Sequence, residues 1–135
     1  MVLIVEDDEP IGEVLLTAIN DERGYTAIRV ATGDEALAAL ARTPIDLLLL
    51  DIQLPGMSGL ELYDRIKADD RFNRLPILFE TAGGRENADA LRERGVATYV
   101  KKPFDLEALV RFVKQLAPPV TRTPRRTPLP TPIPT

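Results

Sequence analysis

The sequence contains neither cysteine nor histidine among its 135 residues. The lack of cysteine excludes disulfides and zinc–thiolate sites, and the lack of both excludes Ser-His and Cys-His nucleophiles and histidine acid–base catalysis. An absence of cysteine fits a reducing compartment.

Long apolar runs are also missing. A membrane-spanning helix needs roughly 20 apolar residues, and no stretch approaches that length. A signal peptide would need a basic segment before its apolar core, and none precedes the first apolar run. We therefore expect a soluble, cytoplasmic protein without a direct membrane partner. Its hydrophobic content of 44% is sufficient for the core of one domain.

Charge divides the chain into two parts. All 21 acidic residues but only 14 of the 17 basic residues lie within residues 1–117, which gives this part a net charge of −7. Such an acidic body argues against direct nucleic-acid binding and favours cations or a positively charged partner. Residues 118–135 contain seven prolines among 18 residues. We predict one domain over 1–117 and a disordered, extended tail or linker over 118–135.

Strand and helix patterns alternate along residues 1–117. Apolar runs predict strands over 2–6, 25–30, 45–50, 76–81 and 96–101. Helical spacing and capping residues, including capping boxes at 32–35 and 58–61, predict helices over about 9–22, 32–42, 58–68 and 86–94 and one beginning at Asp105. Right-handed crossovers then give an α/β, doubly wound (βα)5 fold of the flavodoxin-like kind, with one parallel sheet and helices on both faces.

Chemically active side chains follow the strands at their carboxyl ends. Asp51 ends the third strand, Glu6 and Asp7 follow the first, and Thr81 and Lys102 end the fourth and fifth. These ends meet at one edge of a parallel sheet, where α/β proteins bind ligands. Carboxylates, a hydroxyl and an ammonium group together suit a hard divalent cation and a phosphoryl group. An ionised aspartate there can act as a nucleophile and form an aspartyl phosphate.

Four ordered motifs resemble the receiver domain of bacterial two-component response regulators, and the resemblance covers about residues 1–117. The motifs are Leu3-Ile4-Val5-Glu6-Asp7-Asp8-Glu9-Pro10, Leu50-Asp51-Ile52-Gln53-Leu54-Pro55-Gly56-Met57-Ser58-Gly59, Thr81-Ala82 and Tyr99-Val100-Lys101-Lys102-Pro103-Phe104. Each motif is weak alone, but the ordered set at strand ends is specific.

The resemblance implies a role for each site residue. Asp51 would accept the phosphoryl group, and Lys102, with a cis bond to Pro103, would pair with it. Mg²⁺ (or Mn²⁺) would be bound by Asp51 and Asp7 directly, by the backbone carbonyl of Gln53, and by Glu6 through water.

The resemblance also implies a switch and its partners. Thr81 would move toward the phosphoryl group and Tyr99 would change its burial, which alters the face made by the fourth helix, fifth strand and fifth helix. The donor would be a histidine kinase or a histidine phosphotransfer protein, and the output a downstream protein. Such a protein is no enzyme beyond its own phosphorylation and dephosphorylation, and is a monomer or a phosphorylation-dependent dimer.

Two features depart from the family pattern. The segment between Thr81 and Lys102 is one residue shorter than usual and contains Gly83-Gly84, so the loop after Thr81 and the output face are expected to differ. Glu80 occupies a strand position that is normally apolar or small. We expect it to lie on a partly exposed face or to pair with an arginine.

Other interpretations remain open. Asp51 could simply begin a turn, Glu6 and Asp7 could be solvated loop acids, and Tyr99 could be a core residue. A phosphatase of the haloacid dehalogenase type also uses a strand-end aspartate, but the second acid that it needs is replaced here by Gln53. A pseudo-receiver that only binds partners is a further alternative. Because no effector domain fits within 135 residues, we expect a stand-alone receiver, or a piece of a longer parent chain.

Overall fold

The computed structural model describes residues 1–119, in which five strands alternate with five helices. The strands are β1 (Val2–Val5), β2 (Ala27–Val30), β3 (Leu47–Asp51), β4 (Ile77–Thr81) and β5 (Tyr99–Lys101). The helices are α1 (Glu9–Asn20), α2 (Gly33–Arg42), α3 (Gly59–Lys67), α4 (Arg85–Glu93) and α5 (Leu106–Leu116). Beyond Pro119 the predicted tail lies outside the described residues. No helix within residues 1–119 is long and apolar enough to cross a bilayer.

The five strands form one parallel sheet in the order β2-β1-β3-β4-β5. The order reverses direction between β1 and β3, which creates the switch point expected of a doubly wound fold. At the carboxyl edge Asp51 is in register with Glu80, and Thr81 with Lys101. The predicted fold class is confirmed.

Alternation along the strands divides the core into two layers. One layer lies between the sheet and α1 with α5, and we call this side the α1/α5 face. Its buried members include Val2, Ile4, Leu47, Leu49, Leu78, Val100, Leu15, Ile19, Leu109 and Val113. The opposite side, the α2-α4 face, packs against the other three helices through Leu3, Val5, Leu48, Leu50, Phe79, Ala36, Leu40, Leu62, Ile66 and Leu91. Because both faces are covered, β1 and β3 are apolar at nearly every position.

Only one of the two predicted capping boxes forms. Thr32 accepts from the Glu35 backbone N–H, and the Glu35 carboxylate in turn accepts from the Thr32 backbone N–H. Ser58 accepts from the Glu61 backbone N–H, but the Glu61 carboxylate instead accepts from Arg65 at 2.9 Å. The second box is therefore half formed, because an ion pair one turn along the helix competes for the same carboxylate.

The fifth strand is shorter than the sequence predicted. Residues 96–101 were expected to be extended, yet β5 contains only Tyr99–Lys101. The Val96 N–H donates to the Leu91 carbonyl at 2.9 Å across Gly95, whose φ of 77° suits glycine. This bond completes the end of α4, so Val96 belongs to a helix terminus rather than to a strand.

Gly59 permits a close approach between α3 and the end of β3. A side chain at this position would overlap the backbone carbonyl of Asp51. The Gly59 N–H also donates to the Ile52 carbonyl at 2.9 Å. The turn after Asp51 is therefore held directly against the start of α3.

Candidate functional site

Four charged side chains meet on the α1/α5 face at the carboxyl edge of the sheet. They are Glu6, Asp51, Glu80 and Lys102, and three of them are ion-paired to the fourth. Each lies two residues beyond a core residue of the same face, so strand alternation directs all four to one side. Those core residues are Ile4, Leu49, Leu78 and Val100.

Lys102 is the cation of this cluster. Its Nζ lies 2.8 Å from Asp51 Oδ2, 3.2 Å from Glu6 Oε1 and 3.6 Å from Glu80 Oε1. The Lys102 N–H also donates to the Thr81 carbonyl at 2.7 Å, which fixes the chain beyond β5 against β4. As the resemblance implied, the bond from Lys102 to Pro103 is cis.

Burial and neighbouring charges have opposite effects on the pKa values of Asp51 and Lys102. Burial raises the pKa of Asp51, which is 2% exposed, and the hydrogen bonds from Lys102 and from the Gln53 N–H oppose that rise without cancelling it. For Lys102, burial alone would lower the pKa, but the Asp51 hydrogen bond and the charges of Asp51, Glu6 and Glu80 outweigh it and raise the pKa. The lysine therefore stays charged and holds Asp51 in place.

Glu80 corrects an expectation from the sequence. It is neither partly exposed nor paired with an arginine; it is fully buried and lies beside Lys102. Burial first, and then the neighbouring Glu6, raise its pKa to about 9. Both Glu80 carboxylate oxygens and Glu6 Oε1 have no hydrogen-bond partner among residues 1–119. A proton shared between the two acids, or a cation, would satisfy them.

The carboxylates also fit the donor set of a divalent cation. Glu6, Asp51 and Glu80 each place an oxygen within 4.8 Å of the other two. Oxygen ligands are those preferred by Mg²⁺ and Mn²⁺, and the unpartnered oxygens supply free lone pairs. Asp7, for which the resemblance implied direct coordination, is exposed at the mouth of this edge and does not belong to that group of three.

Gln53 contributes through its backbone. Its N–H donates to Asp51 Oδ1 at 3.0 Å, while its side chain is exposed. The two carboxylate oxygens of Asp51 therefore have different partners: Oδ1 accepts from Gln53 and Oδ2 from Lys102. This arrangement fixes the plane of the carboxylate.

Thr81 and Tyr99 lie on the other side of the sheet. Thr81 is 1% exposed, and Tyr99 is half-buried against the core of the α2-α4 face. The Thr81 hydroxyl accepts from the Gly83 N–H and from Asn87 Nδ2, each at 3.1 Å. Sequence reasoning missed Asn87, because the contact depends on how the Gly83–Gly84 turn starts α4.

Comparisons with known proteins agree with this geometry. The sequence matches the family "Response regulator receiver domain" over residues 2–114. It is 40% identical to the phosphate regulon transcriptional regulatory protein PhoB of Rhizobium meliloti, over 85% of this chain and 51% of that protein. It is 33% identical to sporulation initiation phosphotransferase F of Bacillus subtilis, over 87% of this chain and 93% of that protein.

A solved structure also resembles this chain in its fold. The CheY-like response regulator receiver domain protein of Methanospirillum hungatei superposes with a TM-score of 0.75 at 29% identity, covering 84% of this chain and 90% of the other. This chain spans about half the length of PhoB but most of the length of the smaller relatives. The family match and the shared fold establish that the chain belongs to the response regulator receiver domains and is a two-component phosphorelay receiver.

Proposed function

We propose that Asp51 is the residue of this receiver that accepts the phosphoryl group. The observation that carries the proposal is a buried carboxylate at the end of β3 whose two oxygens are separately held by Lys102 and by the Gln53 N–H. Binding both oxygens fixes the nucleophile in one orientation, which is the main requirement for phosphoryl transfer.

The reaction is a transfer from phosphohistidine. A bond forms between a carboxylate oxygen of Asp51 and phosphorus, while the bond between phosphorus and the donor imidazole nitrogen breaks. The imidazole leaves with the electron pair of that bond and takes up a proton. Lys102, 2.8 Å from Asp51 Oδ2, remains positively charged and can follow the negative charge as it moves onto the phosphoryl oxygens. Because the chain has no histidine, the phosphohistidine belongs to another protein, a histidine kinase or a histidine phosphotransfer protein.

Mg²⁺ or Mn²⁺ fits the same edge. We assign its ligands as Asp51, Asp7 and the Gln53 backbone carbonyl, with Glu6 acting through water. The ion would neutralise charge on the carboxylates and on the phosphoryl oxygens. The clustered oxygens of Glu6 and Asp51 support their part of this assignment, and Asp7 and the Gln53 carbonyl are assigned from the resemblance.

The response to phosphorylation begins with two residues on the α2-α4 face of the sheet. Thr81 would turn toward the phosphoryl group, Tyr99 would change its burial, and the surface of α4, β5 and α5 would present the result to a downstream protein. Tyr99 is partly buried against the core of the α2-α4 face and pairs with Phe79 across β4 and β5, which supports such a response. We propose a cytoplasmic protein that works as a monomer or as a phosphorylation-dependent dimer.

The alternatives have less support. A haloacid-dehalogenase-type phosphatase needs a second acid two residues after the nucleophile, and Gln53 points an exposed amide side chain there instead. A pseudo-receiver would have no need for a buried acid held by a lysine. We therefore retain both only as outcomes of the test.

The test is intact mass after incubation with Mg²⁺ and acetyl phosphate. We expect one base-labile phosphoryl group on the wild-type protein and none on Asp51→Asn, with Asp70→Asn, at an exposed acid in the loop after α3, as the matched control. Retention of the adduct in Asp51→Asn contradicts the assignment. Absence of any adduct on the wild-type favours the pseudo-receiver, and turnover of added phosphomonoesters favours the phosphatase.

A further inference from the structure

A single amide side chain connects Thr81 to the first turn of α4. Asn87 Nδ2 donates to Thr81 Oγ1 at 3.1 Å and to the Gly83 carbonyl at 3.0 Å. The Gly83 N–H donates to the same hydroxyl at 3.1 Å. Both lone pairs of the Thr81 oxygen therefore accept hydrogen bonds from the turn before α4 and from its first turn.

The backbone before α4 explains why this link matters. Gly83 and Gly84 have φ values of 98° and 96°, and Gly84 is the N-cap of α4, which as glycine offers no capping oxygen. Elsewhere in this chain a serine, threonine or aspartate caps the helix, as Thr32 and Asp105 do. The start of α4 is instead tied to the end of β4 by Asn87.

We propose that Asn87 is a positioning residue that holds the Thr81 hydroxyl in its unphosphorylated arrangement. This inference rests on the proposed function, in which Thr81 turns toward a phosphoryl group on Asp51. That movement breaks the bond between Asn87 and Thr81, so phosphorylation releases the first turn of α4. Asn87 thus opposes the switch and also carries it into the helix that forms part of the output surface.

The expected effect has a definite direction. Removing one partly buried hydrogen bond from only the starting state shifts a two-state equilibrium by about two- to tenfold. Asn87→Ala should therefore bind a phosphoryl mimic more tightly than the wild-type protein. A merely structural role for Asn87 predicts lower stability and no gain in affinity.

The experiment is a calorimetric titration with beryllium fluoride in the presence of Mg²⁺. We expect the dissociation constant of Asn87→Ala to be about fivefold below that of the wild-type. Glu86→Ala, at the neighbouring exposed position of the same helical turn, is the matched control and should leave the constant unchanged. Asn87→Leu keeps a similar side-chain volume but lacks the amide donor. It is used in place of Asn87→Ala if the alanine variant is too unstable to titrate.

A double-mutant cycle tests the route of the effect. In a Thr81→Ala background the Asn87 substitution should change the affinity by less than about 1.5-fold, since its target oxygen is absent. Equal or weaker binding by Asn87→Ala and Asn87→Leu, or the same gain in the Thr81→Ala background, overturns the proposal. If the wild-type and Asp51→Asn proteins bind beryllium fluoride equally, the proposed role of Asp51 is contradicted as well. If only the wild-type protein binds, a negative result for the Asn87 variants contradicts the role of Asn87 alone.

Discussion

The two faces of the sheet differ sharply at the carboxyl edge, although their residues alternate along the same strands. On the α1/α5 face Lys102 is surrounded by three buried acids. On the α2-α4 face the adjacent Thr81 accepts two neutral hydrogen bonds, from Gly83 in the turn before α4 and from Asn87 in its first turn. Glu80 and Thr81 are neighbours in sequence but belong to opposite faces. In the proposed function this difference separates the groups that take part in phosphoryl transfer from the groups that respond to it.

The largest expected difference between the faces comes from removing the buried cation. In Lys102→Met the three acids lose their only close positive charge within the cluster. Deleting one member of a buried charge cluster is strongly destabilising, so we expect the free energy of unfolding to fall by about 3 kcal/mol near neutral pH. Urea unfolding without divalent ions measures this change.

A surface ion pair supplies the control for that experiment. Lys114 lies 2.6 Å from Glu22, and both side chains are at least one-third exposed. We expect Lys114→Met to lower the free energy of unfolding by no more than about 1 kcal/mol. Similar losses in the two variants would mean that the cluster is not electrostatically distinct from the surface.

Glu80 gives the second largest effect, with a definite pH dependence. Its pKa is about 9 in the folded protein against an ordinary value of 4.5, so between these values the folded state retains a proton that the unfolded state has lost. Glu80 therefore lowers the free energy of unfolding least below pH 4.5, and lowers it progressively more as the pH rises toward 9. Glu80→Gln removes this dependence and should stabilise the metal-free protein by about 2 kcal/mol at pH 7.

Urea unfolding at several pH values from 5 to 9 measures this effect. The gain from Glu80→Gln should grow with pH, and Glu61→Gln, at an exposed position of α3, should show no such trend. A gain that is constant across the range would indicate that Glu80 is not protonated in the folded state.

The sequence predicted the charged face better than the neutral one. Strand-end positions correctly predicted that Asp51, Glu6 and Lys102 lie together. They also grouped Asp7 and Thr81 with these residues, but Asp7 is exposed and Thr81 lies on the α2-α4 face.

The period of two along a strand places Glu80 two residues after Leu78 and hence on the α1/α5 face, yet an acid there was expected to avoid burial because burying a carboxylate is unfavourable. The structure tolerates it because burial, and then the neighbouring Glu6, raise its pKa to about 9 and favour the protonated carboxyl group.

The remaining differences depend on the geometry of two glycine-containing turns. Asn87 contacts Thr81 across a turn in which Gly83 and Gly84 both adopt positive φ. Nothing in the local pattern of residues 83–87 indicates that contact. Residues 96–98 were likewise predicted to be strand from their composition, whereas a hydrogen bond across Gly95 assigns Val96 to the end of α4.

The smallest expected effect on stability lies on the α2-α4 face and tests whether the two faces act separately. Thr81→Val keeps the branched shape but removes the oxygen that accepts from Gly83 and Asn87, so the free energy of unfolding should fall by about 1 kcal/mol. The cluster around Lys102 is unchanged, and we expect Asp51 to be phosphorylated still by acetyl phosphate. In the proposed function phosphorylation of the wild-type protein changes the burial and hence the fluorescence of Tyr99. We expect this change to be lost in Thr81→Val, because the hydroxyl proposed to couple Tyr99 to the phosphoryl group is gone. A variant that no longer takes up the phosphoryl group would show instead that the hydroxyl belongs to the reacting face.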